Sequence, residues 1–271
     1  MVRYFFHIGY NGVNYRGWQR QRKDVVTIQA VMEEKLRILF RKHITTLGCG
    51  RTDAKVHAMQ YFFHIDLEKE FTKDVLFFLN KMLPDDIAVF DIIKMDGEQH
   101  AQFDAIERTY DYFIHTYKDP FLSNASALYL IKDLDLDKMK QAVALLPKYD
   151  DYRALCKSPD KHNNTISNVT SAKLFINATG DKIRFQITAN KFIKAMVRII
   201  AGKLIEIGTG ELTVEEFEHN LKNKIAPLTV KPAYPQGLYL TKVVYPFLDI
   251  PTRTESFTVL QNNGNSYWKQ F

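Results

Sequence analysis

Cysteine is nearly absent. Cys49 and Cys156 are the only two in 271 residues. No disulfide framework follows from such a pair, and the two alone cannot build a zinc site. Cys49 has no obvious activating base beside it and reads as a small buried residue. Long apolar runs are missing as well, and none approaches the roughly 20 residues that span a bilayer. The opening Val2-Arg3-Tyr4-Phe5-Phe6-His7-Ile8 is too short and too charged for a signal peptide, and none is expected. The expectation is a cytoplasmic protein that engages no membrane. There is no phosphate-binding glycine loop. His57 and His64, with Asp53 and Asp66, are the nearest thing to a metal set. On a strand an offset of seven turns the two histidines to opposite faces. No metal and no cofactor are expected, and a metal-dependent phosphoesterase is a poor reading.

What is present is a chain of ordinary globular composition, 46% hydrophobic and 25% charged, with a net charge of +6. That balance favours a polyanionic partner, because clustered Lys and Arg release counterions from phosphates.

One stretch stands out: Gly48-Cys49-Gly50-Arg51-Thr52-Asp53-Ala54-Lys55-Val56-His57-Ala58. Its two glycines permit a tight turn or a close approach of another segment. Asp53 then follows a cation by two residues, just before a strand-like run. A carboxylate so placed stays ionised in a cleft and is a candidate nucleophile. It is equally a turn aspartate that bonds its own backbone.

Alternation of Val2, Tyr4, Phe6 and Ile8 predicts a first strand. The polar loop after it holds Arg16, Arg20, Arg22 and Lys23 for phosphates, and Tyr15 or Trp18 for stacking on a base. Thr27 caps a helix that runs to about Lys42, with Glu33, Glu34, Lys35, Arg37 and Arg41 as solvated charges. Strands are expected at 44–47, 58–65 and 87–94, with a helix over 72–83 stopped by Pro84. Further on, a helix from Leu136 ends at Pro147, and 169–176 with 183–188 form a hairpin. The spacing predicts a long helix over 192–207, closed by Gly208, with Lys191, Lys194 and Arg198 together on one flank. Thr213 to Glu216 reads as a capping box. The tail from Pro246, including 262–266, carries little signal and reads as extended or poorly ordered.

Several of these stretches, in the same order, resemble the TruA family of tRNA pseudouridine synthases. The 48–58 stretch is similar to G-x-G-R-T-D-A-G-V-H-A, with Lys55 in place of a glycine. Tyr15-x-Gly17-Trp18-Gln19-x-Gln21 precedes it. His100-Ala101-Gln102-Phe103 and Arg108-x-Tyr110-x-Tyr112 resemble H-A-R-F and R-x-Y-x-Y, with Gln102 replacing an arginine. Asn190-x-Phe192-Ile193-x-x-Met196-Val197-Arg198 and Gly237-Leu238-Tyr239-Leu240 complete the set.

The resemblance implies an α+β fold of two ferredoxin-like or RRM-like halves. Their mostly antiparallel sheets would join, with helices on one face and a cleft between the halves. The expected division is 1–105, carrying the catalytic aspartate, and 106–271. The implied reaction isomerises uridines of tRNA, in the anticodon stem-loop, to pseudouridine. Asp53 would be the nucleophile, and Tyr110 would stack on the base and accept its proton. Arg198 would pair with Asp53, Arg51 would hold the flipped nucleotide, and Leu238 would form an apolar wall. Thr52 and Lys55 flank the nucleophile, while Arg20, Lys191 and Lys194 are candidate RNA contacts. A homodimer with tRNA as its partner is also implied. The departures at Lys55 and Gln102 leave open an inactive RNA-binding or chaperone-like paralogue.

Overall fold

The computed structural model describes residues 1–22, 24–71, 74–226, 230–253 and 269–271. Lys23, Thr72 as a helix start, and the expectation for 262–266 lie outside the described residues. The architecture is α+β, with mostly antiparallel strand pairing, as the sequence implies. Two compact units are formed: Met1–Ile106 with the segment that starts at Tyr239, and Glu107–Leu238 with the C-terminal strand.

In the first unit the order is β1 (Val2–Tyr10), α1 (Ile28–Phe40), β2 (Leu47–Gly48), β3 (His57–Leu67), α2 (Val75–Met82) and β4 (Ile87–Lys94). β1 lies between β3 and β4, antiparallel to both. Phe6 faces Phe63 across the β1–β3 ladder, their rings stacked at 4.8 Å. Aromatic cross-strand pairs of this kind add to area burial. A late strand, β9 (Leu238–Val244), returns to this unit and pairs in parallel with β3, His57 opposite Tyr239. Their rings stack at 4.3 Å. β2 is shorter than the strand expected over 44–47. Ile44 to Thr46 instead cross the flank of α1, where Thr46 meets a helix carboxylate.

That carboxylate is Glu33, and it corrects the reading of α1. Thr27 caps the helix as expected, accepting the Ala30 amide at 3.3 Å. Glu33, however, is only 5% exposed. It accepts from the Thr46 amide and hydroxyl at 3.1 Å each, and from Gln29 at 3.1 Å. Arg20 pairs with it at 2.7 Å. A buried charge is tolerated only with such a set of donors.

The second unit contains β5 (Glu107–His115), β6 (Ala127–Leu128), α3 (Leu136–Leu145), β7 (Val169–Ile176), β8 (Lys182–Ala189), α4 (Met196–Gly208), α5 (Val214–Lys222) and β10 (Lys269–Gln270). β8 pairs antiparallel with both β5 and β7, and β10 adds to the outer edge of β7. The β7–β8 hairpin turns at Gly180, whose φ is +76°. Asp135 caps α3, and Thr213 with Glu216 forms the capping box of α5. α3 packs on β7, α4 and α5.

Candidate active site

The 48–58 stretch is a turn clamped by the loop that follows β1. Two backbone bonds tie the two, Trp18 N–H to the Thr52 carbonyl at 3.2 Å and Lys55 N–H to the Tyr15 carbonyl at 3.0 Å, and within the turn Val56 N–H donates to the Asp53 carbonyl at 3.2 Å. The Gly12 amide donates to His57 Nδ1 at 3.2 Å, which fixes that ring as an acceptor there. The approach is so close that side chains are excluded. A Cβ on Gly12 would lie 1.9 Å from the Val56 carbonyl oxygen, and one on Gly17, at φ +92°, would lie 2.4 Å from that of Thr52. Glycine at these two positions is therefore a condition of the turn.

Behind the turn, Tyr61 donates to the Gly50 carbonyl at 2.6 Å, and Tyr10 and Thr52 share a hydroxyl bond of 2.8 Å. Trp18 is 2% exposed and packs on Tyr61 at 4.2 Å. Tyr15 is buried too and donates to Asp86 at 2.5 Å, an arrangement that raises its pKa. Neither ring can stack on a nucleobase. The sequence reading of this loop is corrected here: its aromatics are the core that supports the turn. Cys49 is buried, as expected.

On this support Arg51 and Lys55 are exposed, Asp53 is half-buried and Thr52 is buried. Lys55, where the family pattern has glycine, has φ +64°. The left-handed conformation that glycine adopts freely is thus kept by a lysine, at a cost of about 1 kcal/mol. Arg20 is partly exposed, and its guanidinium is engaged with Glu33.

In the second unit, Tyr110 lies on β5 opposite Ile187 and meets Phe192 edge-on at 5.0 Å. It is half-buried, whereas Tyr112, on the same strand face, is fully buried and donates to the Tyr234 carbonyl at 2.9 Å. Burial raises the pKa of Tyr112.

Arg198 sits in the first turn of α4. Its Nε donates to the Ala233 carbonyl at 2.8 Å, and Ala233 N–H returns a bond to the Arg198 carbonyl at 2.9 Å. Gly202 lets this strap approach, since a Cβ there would lie 2.7 Å from the Lys231 carbonyl oxygen. Leu238 is buried at the start of β9.

α4 starts at Met196, four residues later than the periodicity predicts. Asn190 Oδ1 accepts the amides of Asn168 and Lys191, and Ala195 turns left-handed at φ +59°. Lys191 and Lys194 therefore precede the helix and do not share a flank with Arg198. Both are exposed, and Lys191 donates to Asn164 at 3.0 Å. Among the described residues no three His, Cys, Asp or Glu side chains are grouped to hold a metal ion. No described helix is long and apolar enough to cross a membrane.

Residues 149–246, which include Arg198 and Leu238, match a family model described as tRNA pseudouridine synthase. Relatives named tRNA pseudouridine synthase A extend the likeness across the chain. The protein of Porphyromonas gingivalis is 35% identical over 91% of this chain and 98% of its own. That of Parabacteroides distasonis is 38% identical over 91% and 97%. That of Thermodesulfovibrio yellowstonii is 35% identical over 90% and 100%. Coverage this complete at such identity, with the clamped turn and the α4 segment both included in its span, places the chain in the tRNA pseudouridine synthase family of isomerases.

Proposed function

We propose that this chain isomerises uridines in the anticodon stem-loop of tRNA to pseudouridine, with Asp53 as the nucleophile. The N1–C1′ bond breaks, the uracil turns, and a C5–C1′ bond forms. The C5 proton leaves and N1 gains one, so substrate and product have the same atoms and oxidation state. No cofactor is called for by that balance.

The observation that carries the reading is the clamped turn. It holds Asp53 half-exposed on a backbone whose neighbouring amides and carbonyls are already engaged with another loop. A carboxylate held still in this way loses little freedom when it attacks. The target uridine leaves its stack before reaction. Arg51, exposed beside the turn, holds the displaced nucleotide, and Lys55 favours the phosphates near it. Tyr110 stacks on the uracil and accepts the C5 proton; its half-exposure supports it over buried Tyr112. Arg198, its Nε engaged by the Ala233 carbonyl, is the proposed ion-pair partner of Asp53. Leu238 supplies an apolar wall. Arg20, Lys191 and Lys194 add phosphate contacts, Arg20 in competition with Glu33. The functional unit in this reading is a homodimer with tRNA across it, formed in the cytoplasm.

A site-resolved pseudouridine map tests the proposal. Purified protein and its Asp53→Asn variant are incubated with unmodified tRNA transcripts, without metal or nucleotide. Product at defined anticodon-arm positions, lost in the variant, is the expected result. Binding without product on every tRNA would move the reading to a non-catalytic RNA-binding protein.

A further inference from the structure

The loop that joins β4 to β5 presents one aromatic ring to solvent. Phe103 is 76% exposed, yet its ring is not loose. It stacks on His100 at 4.3 Å with an interplanar angle of 28°. His100 is fixed in turn, because its Nδ1 accepts the amides of Gln102 at 3.0 Å and Phe103 at 3.3 Å. Nδ1 is an acceptor, so the neutral ring carries its proton on Nε2. The His100 amide donates to the Asp104 carboxylate at 2.7 Å, and the Asp104 amide returns to the His100 carbonyl at 3.1 Å.

The core reinforces this loop from beneath. Buried His64 accepts the Ala101 amide at 3.1 Å, and buried Tyr245 donates to the Ala101 carbonyl at 2.5 Å. His64 meets the edge of His100 at 4.7 Å. Its Nε2 is buried with no hydrogen-bond partner among the described residues. An unsatisfied buried nitrogen is costly, so the core carries a penalty where it fixes this loop.

Exposed phenylalanine on a mobile loop is ordinary. An exposed phenylalanine held flat by a histidine, on a loop with so many backbone groups engaged, is a preorganised platform. We propose that Phe103 is a base-stacking platform for an unpaired nucleotide of the RNA substrate, a positioning residue outside the catalytic set. The inference rests on the functional reading above and adds a contact to it. RNA is favoured over a protein partner because the residues on either side of the ring in sequence, Gln102 and Asp104, are polar. A flat ring accepts any base, so the contact adds affinity with little sequence preference.

The test uses the full chain and an anticodon-arm tRNA transcript. Wild-type protein is assayed first for product, and its failure there would refute the functional reading without touching Phe103. Given turnover, Phe103→Leu is expected to raise KM or Kd for the RNA roughly tenfold, and Phe103→Tyr to restore it. Because the ring is exposed, the thermal midpoint should not move. In Phe103→Trp, made in a Trp268→Phe background so that buried Trp18 is the one remaining native indole, fluorescence should be quenched on RNA addition. Equal affinity of the Leu, Tyr and wild-type proteins would overturn the proposal. So would a change of oligomeric state in Phe103→Leu, which would make the ring a subunit contact.

Discussion

Asp53 and Arg198 are both held by close-packed backbone, but the two segments are secured in different ways. The Asp53 turn has no secondary structure of its own. Its shape comes from the loop after β1, through Gly12, Gly17 and the Tyr15 carbonyl. Arg198 belongs to a regular helix and is trimmed by one strap, Lys231 to Ala233, that passes over Gly202. The first arrangement is an imposed conformation, and the second is a propagated one. An imposed conformation fails when its support fails, whereas a helix persists when a neighbour is disturbed.

The largest expected effect tests whether the imposed turn serves chemistry at all. Asp53→Asn keeps shape and volume and removes the charge. Turnover is expected to fall at least about a thousandfold, equal to ~4 kcal/mol of barrier. RNA affinity and the thermal midpoint should stay close to wild type. Near-normal single-turnover rates in the variant would end the nucleophile assignment. Arg198→Lys keeps the charge and loses the planar Nε contact to Ala233, so it should lose less rate than Asp53→Asn.

Next in size is the contrast between two glycines. Gly17→Ala meets both a left-handed φ and the Thr52 carbonyl oxygen, and should destabilise the fold by about 3 kcal/mol. Gly202→Ala meets only the Lys231 carbonyl and gains helix propensity, about 1 kcal/mol, in return. Its net cost should be near 1 kcal/mol. Urea unfolding of both variants checks the order. Equal losses would mean that the turn is no more dependent on its support than the helix is.

A third, smaller effect is the pH dependence of the first unit. Burial holds the His64 pKa down at about 4, against an ordinary 6.5. Arg3 and His100 push in the same direction, while Asp66 and Asp104 oppose them. The unfolded chain therefore binds a proton at pH values where the folded one does not. The associated stability is complete above pH 6.5 and is lost as pH falls toward 4, by on the order of 2 kcal/mol. Melting followed from pH 7 to pH 4 should show this loss, and His64→Gln should flatten it. A variant profile as steep as wild type would assign the loss to other groups.

Much of this arrangement is legible in the sequence where the signal is local. The order β1, α1, β2, β3, α2, β4 follows from alternation, helical spacing and the stop at Pro84. Thr27, Thr213 and the β7–β8 turn are likewise local signals. What escaped is set by distant partners. Glu33 is on the polar side of α1 by pattern, yet Thr46 and Arg20 bury it. Tyr15 and Trp18 look like nucleic-acid contacts in a polar loop, and burial under the turn makes them core. Residues 192–195 fit a helical period, but Asn190 and left-handed Ala195 delay the helix to Met196. The return of β9 to the first unit is a pairing between residues far apart in sequence, which no window of residues contains.

The smallest effect is the most informative about the two segments. Each holds one non-glycine residue in the left-handed region close to Asp53 or Arg198, Lys55 at φ +64° and Ala195 at φ +59°. Replacing either by glycine relieves about 1 kcal/mol of strain and adds roughly 0.5–1 kcal/mol of unfolded-state entropy. The two variants should therefore match wild type in stability to within about 0.5 kcal/mol. They should differ in function. Ala195→Gly removes only a methyl group. Lys55→Gly removes an exposed ammonium two residues from Asp53. If that ammonium meets a phosphate, the slope of log Kd for tRNA against log salt should become shallower by about 1 in Lys55→Gly and stay unchanged in Ala195→Gly. Equal slopes would leave the lysine as a strained substitute for glycine with no share in RNA binding.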